Sequence, residues 1–312
     1  MHIWVFPVLL MLSLLSSAIV ELPTNRVFIG VYDKQSKVFD NQRLDVEMDY
    51  VSWEKPWDLT ASISDARQRG RVSLMTIEPW TTHSGNLDDV LTDTNQGFND
   101  AIIQADALAV KAQAPQIVLI RFAHEMDLVS NYPWSREDYG SYIAAYMHYH
   151  DIFVALGATN VKWVWSPAGN LNAHLYYPGD EYVDYVGVTV LGNEAWDMKH
   201  GSKEGRSFAS LFGDRYAVVS RYNKPIIVAE LGVAGVSTRE NTYEYKKNWL
   251  RSAFDSFSNY PLLVGVIYFN AINAPNTSDW GQPDWCINYD QLLQLIGQVA
   301  LSAYILPWQG AV

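Results

Sequence analysis

The chain has 312 residues, 49% of them hydrophobic, with 34 acidic against 22 basic residues and a formal net charge of −12. This length is sufficient for one large core, and the acidic balance argues against nucleic-acid or anionic-membrane partners, because phosphate binding needs concentrated positive charge. The single cysteine, Cys286, excludes an internal disulfide. We therefore expect one domain, residues 19–312, whose stability comes from its core.

The first segment in chain order is an apolar N-terminal run, "MHIWVFPVLLMLSLLSSAIVE". Its length suits the hydrophobic region of an export signal, and Ser16-Ser17-Ala18 has the small residues that a signal peptidase accepts. We predict a signal peptide over residues 1–18 and a secreted, extracellular or periplasmic protein that is free of the membrane after cleavage. The run starts without Lys or Arg, so membrane anchoring by residues 3–20 stays open.

Short apolar segments rich in β-branched residues then recur along the chain, each followed by a polar or turn-forming cluster. Their continuous apolar character is typical of parallel strands covered on both faces. The eight predicted strands are 26–32, 48–53, 72–77, 117–122, 161–165, 185–190, 225–230 and 263–269.

Amphipathic segments between these strands predict helices, for example over 97–113, 136–156 and 241–258. Strand and helix alternating eight times is the rhythm of an α/β fold, the (β/α)8 TIM barrel, in a single domain. A doubly wound open sheet is the alternative, but the turn after the first strand, "FIGVYDKQSK", lacks a glycine-rich phosphate-binding pattern.

Two carboxylates stand at the ends of predicted strands, where a barrel of this kind builds its active site. Glu125 follows the fourth strand and Glu230 ends the seventh, in "PIIVAELG". A carboxylate delivered by a buried strand is costly unless it is paired, hydrogen-bonded or used. Arg121, Ala123 and Glu125 would share one face if the fourth strand continued to its tip. Glu230 as a structural ion-pair partner or helix cap, and Arg121 as an interior counterion, are the structural alternatives.

The chain also contains 12 Trp and 19 Tyr, several of them in polar loops where aromatic faces suit sugar rings. Carboxyl groups beside aromatic platforms are the combination that polysaccharide hydrolysis requires. Several tryptophans are expected at the mouth of the barrel, where they would either stack on sugar or merely close the core. They include Trp80, Trp134, Trp196 and Trp280.

Five motifs in register carry a resemblance to a known family: "RFAHEMD…YPW", "WVWSP", "YPGDEYVDYVGV", "KPIIVAELG" and "GVIYFN…DW". Together they resemble glycoside hydrolase family 26, whose members are mostly endo-β-mannanases, with some mixed-linkage β-glucanases and β-1,3-xylanases. The resemblance implies Glu125 as acid/base and Glu230 as nucleophile of a retaining reaction.

The same resemblance implies roles for further residues. It places His124, which could otherwise be a core imidazole, in the sugar subsite. Trp165 and the stretch from Tyr268 to Asn270 would line the floor and far wall of the cleft. The chain departs from the family at Leu191, where an aromatic residue is usual, and at Ala168, where Asn is frequent.

The resulting hypothesis is a secreted, monomeric, endo-acting β-glycan hydrolase that needs no cofactor or metal. Its partner is a β-linked polysaccharide, with β-1,4-mannan as the first candidate. A β-1,3-1,4-glucanase or an exopolysaccharide hydrolase is the alternative, because the departures fall in subsites that distinguish sugars. From a different class, a non-catalytic carbohydrate-binding barrel would have no reason to keep both carboxylates.

Overall fold

Eight parallel strands form a closed barrel in chain order, and the last strand pairs with the first. The computed structural model describes residues 19–35, 37–55, 59–236, 242–271, 283–287 and 294–296. The strands are β1 (Phe28–Tyr32), β2 (Val46–Ser52), β3 (Val72–Glu78), β4 (Val118–Phe122), β5 (Val161–Trp165), β6 (Tyr185–Asn193), β7 (Ile226–Ala234) and β8 (Leu263–Phe269). The predicted (β/α)8 barrel is confirmed.

Helices lie between the strands and pack on the outer face of the barrel. In the described ranges they are α1 (Leu59–Gln68), α2 (Val90–Asn95), α3 (Asp100–Lys111), α4 (Tyr139–Ala155), α5 (Glu194–Lys199), α6 (Phe208–Val219) and α7 (Thr242–Ser256). The three helices predicted from amphipathic patterns correspond to α3, α4 and α7, each slightly shorter than its apolar pattern. Asp138 begins α4 by accepting the Ser141 N–H at 3.2 Å, and Ser207 caps α6 in the same way.

Alternate residues of each strand enter two separate apolar clusters, one inside the barrel and one between barrel and helices. The inner cluster includes Phe28, Val46, Met48, Val72, Leu74, Leu119, Val164, Ile227 and Ile267. The outer cluster includes Ile29, Val31, Met75, Ile77, Ile120, Phe122, Val186, Val188 and Val228. Because both faces are buried, the strands read as continuous apolar runs and not as alternating ones.

The N-terminal end of the barrel is filled by close packing. The Phe28 ring lies against Gly265, where a Cβ would come within 2.1 Å of the ring. The segment after the predicted signal also packs here: Val20 exchanges two hydrogen bonds of 2.9 Å with the Gln116 side chain. Polar side chains therefore collect at the opposite end, where the strands deliver their carboxyl termini.

The predicted signal peptide itself lies outside the described residues. Within the described part of the chain, no helix has both the length and the apolar character needed to cross a membrane.

Candidate active site

Glu230 points into the barrel because β7 contains a one-residue irregularity. The pairing of β6 with β7 runs from Val188 opposite Val228 to Thr189 opposite Glu230, so Ala229 is an extra residue on β7. Such a bulge re-aims the side chains that follow it. Glu230 is 7% exposed, and β7 continues for four residues beyond it to Ala234. The prediction that Glu230 ends the strand was therefore wrong, although the residue does reach the open end of the barrel.

A fully buried arginine holds the Glu230 carboxylate. Arg121 Nη1 donates to Glu230 Oε1 at 2.8 Å, and its Nε donates to Ser166 Oγ at 2.9 Å. Arg121 has 0% exposed surface, so this ion pair is shielded from solvent. Burial opposes the charge, but electrostatic interactions with Glu230, Tyr50 and Glu125, together with the hydrogen bond to Glu230, outweigh burial and raise the pKa of Arg121 above its usual range. Arg121 thus provides permanent positive charge beneath the site.

Glu125 reaches the site from a turn and not from a strand. Strand β4 ends at Phe122, and both Ala123 (φ 46°) and Glu125 (φ 53°) have left-handed backbone conformations. The predicted strand continuation to Glu125 is therefore wrong. Non-glycine residues in this conformation are strained and cluster at functional sites. The Glu125 N–H donates to the Ser166 carbonyl at 2.8 Å, which ties the turn to β5.

Both oxygens of the Glu125 carboxyl group have hydroxyl partners. Thr189 donates to Oε1, and Tyr132 donates to Oε2 at 3.0 Å. Burial raises the pKa of Glu125 to about 7, helped by the negative charge of Glu230 and opposed by Arg121 and by the two hydroxyls. Near neutral pH a large fraction of Glu125 therefore carries a proton, which is what a general acid requires.

Comparisons with known proteins identify relatives of this chain. The sequence profile of glycosyl hydrolase family 26 matches residues 80–212. Endoglucanase H from Acetivibrio thermocellus is 31% identical over 268 residues, which cover 82% of this chain. The chain spans only 27% of the length of that relative.

Residues 80–212 of the chain belong to glycoside hydrolase family 26.

Solved structures show the same fold at lower identity. A GH26 β-mannanase from Bacteroides ovatus superposes with a TM-score of 0.64 at 15% identity, covering 92% of each chain. GH26C from a Muricauda species has a TM-score of 0.58 at 15% identity, covering 78% of this chain and 79% of that one. At such identities these likenesses support the barrel and not a substrate.

His124, the third residue that the family resemblance predicts for the site, lies beside Glu230 and the rings of two tyrosines. Its Nε2 is 3.9 Å from Glu230 Oε1, and its ring contacts Tyr50 and Tyr132. Burial, together with the charge of Arg121, lowers the pKa of His124 well below its usual value. The imidazole is therefore neutral, and its Nδ1 has no hydrogen-bond partner among the described residues. Its role in binding sugar stays a prediction.

Two of the predicted sugar-stacking tryptophans are core residues. Trp134 has 0% exposed surface, stacks parallel behind Tyr132 at 4.8 Å, and donates its Nε1–H to the His124 carbonyl at 2.7 Å. Trp165 also has 0% exposed surface and packs against Tyr177 and Tyr222. Neither indole has a free face for a sugar ring, so both predictions are corrected.

Tyr268 and Asn270 are also structural. Tyr268 belongs to the outer cluster, between barrel and helices, and its hydroxyl donates to the Trp285 carbonyl at 2.7 Å. Asn270 is fully buried, donates to Asp33 and accepts from the Ile287 N–H at 2.7 Å. Both side chains close the gap between β8 and the segment 283–287, so they do not line the cleft.

The remaining predicted platforms keep partly exposed rings. Trp80 follows β3 and packs edge-on against Tyr132 and Trp134 at 6.1 and 5.0 Å. Trp196 lies on α5 and stacks on His200 at 4.0 Å, with the Arg206 guanidinium 5.6 Å from its ring centre. Both stay candidates for sugar contact. Trp280 lies outside the described residues.

The structure adds Tyr50 and Thr189 to this site, and it also places there Glu78, a carboxylate that follows the predicted third strand. Burial, the charge of Glu230 and a hydrogen bond to it raise the pKa of Tyr50 well above its usual value, so this phenol stays a neutral donor. Burial raises the pKa of Glu78 to about 7; a hydrogen bond from Trp80 opposes that rise and the charge of Glu230 adds to it. Tyr50 and Glu78 occupy inward positions of β2 and β3. The two-residue period of these strands could have predicted that orientation from the sequence.

Among the residues that the structure describes, no group of three or more His, Cys, Asp or Glu side chains could hold an ion.

Proposed function

We propose that the chain is an endo-acting, retaining β-glycan hydrolase with Glu125 as acid/base and Glu230 as nucleophile. The observation that carries this proposal is the different environment of two neighbouring buried carboxyl groups. Glu230 lies on the Arg121 guanidinium, whereas the pKa of Glu125 is raised to about 7. Environments that differentiate two carboxyl groups in this way support separate roles for them.

In the first step a Glu230 oxygen attacks the anomeric carbon while Glu125 gives its proton to the glycosidic oxygen. The bond between carbon and the leaving sugar breaks, and a glycosyl ester on Glu230 forms. In the second step the Glu125 carboxylate takes a proton from water, the water oxygen bonds to the anomeric carbon, and the ester breaks. Arg121 neutralises Glu230 whenever it is free, which limits the cost of keeping a buried anion ready.

The environment of Thr189 supports the close approach that a retaining pair needs. Its backbone is in register with Glu230 on β7, and its hydroxyl contacts Glu125. One residue thus touches both sides of the reacting centre. A retaining mechanism predicts carboxyl groups about 5–5.5 Å apart, against roughly 6.5–9.5 Å for an inverting pair.

For the substrate we propose a β-glucan, of β-1,4 or mixed β-1,3-1,4 linkage, ahead of the β-1,4-mannan that the family resemblance favours. The relative with 31% identity is named an endoglucanase, while the β-mannanase structure shares 15% identity and supports the fold alone. Leu191 supports this choice, because an aromatic residue is usual at its position in the family. It is half-buried on β6 opposite Gly232, one strand from Glu230.

The test is the release of reducing ends from barley β-glucan, carboxymethylcellulose, glucomannan, galactomannan, β-1,3-xylan and bacterial exopolysaccharides. Glu230→Gln should lower turnover by several orders of magnitude while glycan affinity persists, and Glu181→Gln, at an exposed carboxylate, should change neither. Glu125→Ala should affect poor leaving groups more than activated aryl glycosides, which need little proton assistance. Binding without turnover in the wild-type protein would favour the carbohydrate-binding alternative.

We also propose that the protein is exported and that residues 1–18 are removed. The apolar run and Ser16-Ser17-Ala18 support this, and Val20, which lies beyond the predicted cleavage site, packs at the N-terminal end of the barrel. Cleavage after Ala18 would leave those contacts intact. N-terminal sequencing of the protein from culture medium tests the site, and a membrane-bound product of full length would support the anchor instead.

A further inference from the structure

The two oxygens of the Glu125 carboxyl group are not equivalent. The hydrogen bond from Thr189 to Oε1 lies in the buried interior, whereas the bond from Tyr132 to Oε2 is only partly buried. Thr189 projects from β6 inside the barrel, while Tyr132 belongs to the loop after β4 at the mouth. An incoming glycosidic oxygen can therefore reach Oε2 but not Oε1, so Oε2 is the oxygen that must carry the transferred proton.

Tyr132 is held rigidly where its hydroxyl meets that oxygen. Its ring is parallel to Trp134 at 4.8 Å, with an angle of 2° between the planes, and the edge of Trp80 is 6.1 Å away. Its backbone N–H donates to Ser135 Oγ at 2.6 Å. Trp134 is itself fixed through its bond to the His124 carbonyl. The hydroxyl therefore has little freedom to leave Glu125 without a replacement partner.

A neutral phenol in this place is a donor at every working pH. Burial and the nearby charge of Glu125 raise the pKa of Tyr132 far above its usual value, so it does not ionise. A donor that bonds an ionised carboxylate stabilises the ionised form. Tyr132 thus limits how far burial and the charge of Glu230 can move Glu125 towards its protonated form.

We propose that Tyr132 is a positioning residue whose hydroxyl holds the proton-transferring oxygen of Glu125 until the glycosidic oxygen of the substrate takes that place. The inference rests on the proposed function for the assignment of Glu125 as acid/base. No proton moves to or from Tyr132 in this scheme. The proton passes from Glu125 Oε2 to the leaving oxygen as the glycosidic bond breaks and Glu230 bonds to carbon. In the second step Tyr132 donates again to the regenerated carboxylate.

Other charged or titratable groups also face Glu125 and must stay unchanged in a test. Arg121 approaches from β4, Glu230 from β7, Tyr50 from β2 and Arg215 from α6. Tyr132→Phe alters none of them, and it keeps the ring that stacks on Trp134. The change therefore isolates one hydroxyl group.

The first readout does not need enzymatic activity. The carboxyl titration of Glu125 is followed by NMR in protein labelled with ¹³C at glutamate carboxyl carbons, with the resonance assigned through Glu125→Gln. In Tyr132→Phe the titration midpoint should rise by about one pH unit, because a hydrogen bond to the charged form is lost. Tyr176→Phe is the matched control: its hydroxyl donates to the Arg136 carbonyl at 2.7 Å, away from Glu125, and the midpoint should stay unchanged.

The second readout is the pH profile of kcat/KM on the best glycan of the substrate panel. Glycosylation needs protonated Glu125, so activity falls as pH rises through its pKa. The basic limb of Tyr132→Phe should therefore move to higher pH by the same amount as the NMR midpoint, with a lower kcat. Placing 3-fluorotyrosine at position 132, a stronger donor, should move both in the opposite direction.

A folded Tyr132→Phe protein with an unchanged Glu125 midpoint would overturn the proposal, as would an unchanged midpoint with fluorotyrosine. A wild-type protein without glycanase activity would instead refute the proposed function, and the NMR titration would still decide whether Tyr132 holds the Glu125 carboxyl group.

Discussion

Replacing Arg121 with Met tests whether the buried ion pair keeps Glu230 ready for attack. The guanidinium has 0% exposed surface and Glu230 has 7%, so solvent cannot replace the lost partner. Breaking a buried pair by removing one member costs about 3–5 kcal/mol. At about 2–4 °C per kcal/mol for a domain approaching this size, Tm at pH 7 should fall by roughly 10 °C. Much of the cost comes from leaving the buried Glu230 carboxylate without its partner.

The kcat of Arg121→Met should fall, and because the charge of Arg121 opposes the rise in the pKa of Glu125, the basic limb of the pH profile should move to higher pH. The matched control is Arg71→Met. Arg71 is 2% exposed, pairs with Glu47 and donates to main-chain carbonyls of the β1–β2 connection, at the opposite end of the barrel. Both variants should lose stability, measured by calorimetry from pH 4 to 8, but only Arg121→Met should change the pH dependence of kcat. A wild-type pH profile in Arg121→Met would refute the reasoning.

Three further substitutions address the supports of the site. In Gly187→Ala the new Cβ would lie 2.4 Å from Ser166 Oγ and would displace the hydroxyl that holds Arg121 beneath Glu230. We expect kcat to fall about tenfold. Gly30→Ala creates an equal clash inside the barrel and should lower only Tm. Burial raises the pKa of Asp106 to about 7, so the folded state keeps a proton that the unfolded state loses above about pH 4, and the stability of the wild type falls as pH rises to 7. The Tm of Asp106→Asn relative to that of the wild type should therefore rise across that pH window. A constant Tm difference would contradict this. Asp127 accepts hydrogen bonds from three backbone N–H groups of the loop after β5. Asp127→Ala should therefore speed hydrogen exchange in that loop and reduce kcat. Unchanged exchange would show that Asp127 does not hold the loop in place.

The strands of the barrel were predictable because their burial is nearly complete. A parallel strand covered on both faces shows a continuous apolar run, and all eight runs in the sequence correspond to strands within a few residues. Two strands extend well beyond their predicted ends: β6 continues to Asn193 and β7 to Ala234. Their last residues include Gly192 and Gly232, which have low strand propensity but leave room for Trp249 and Leu191. Local sequence cannot report such packing.

The aromatic residues were the least predictable part of the site. A tryptophan in a polar stretch fits a sugar platform and a loop anchor equally well. Trp134 is surrounded by Tyr132, Pro133 and Ser135 in sequence, yet it is the base on which Tyr132 rests. What decides between these roles is the distance from the loop to the core, which depends on contacts with residues far away in the chain. The partner of Glu230 is likewise 109 positions distant.

The bulge at Ala229 shows why a motif could single out Glu230 for the site when a periodic pattern could not. Ile227 belongs to the inner cluster and Val228 to the outer one, so strict alternation would turn position 230 towards the helices. Leu231 and Val233 do face the helices, which requires the extra residue between them and Val228. A carboxylate on that outer face would lie in an apolar layer without a counterion, at a cost of several kcal/mol. The inserted residue instead sets Glu230 opposite Thr189 and within reach of Arg121, and that single shift in register brings Glu125 and Glu230 to the same side of the barrel wall.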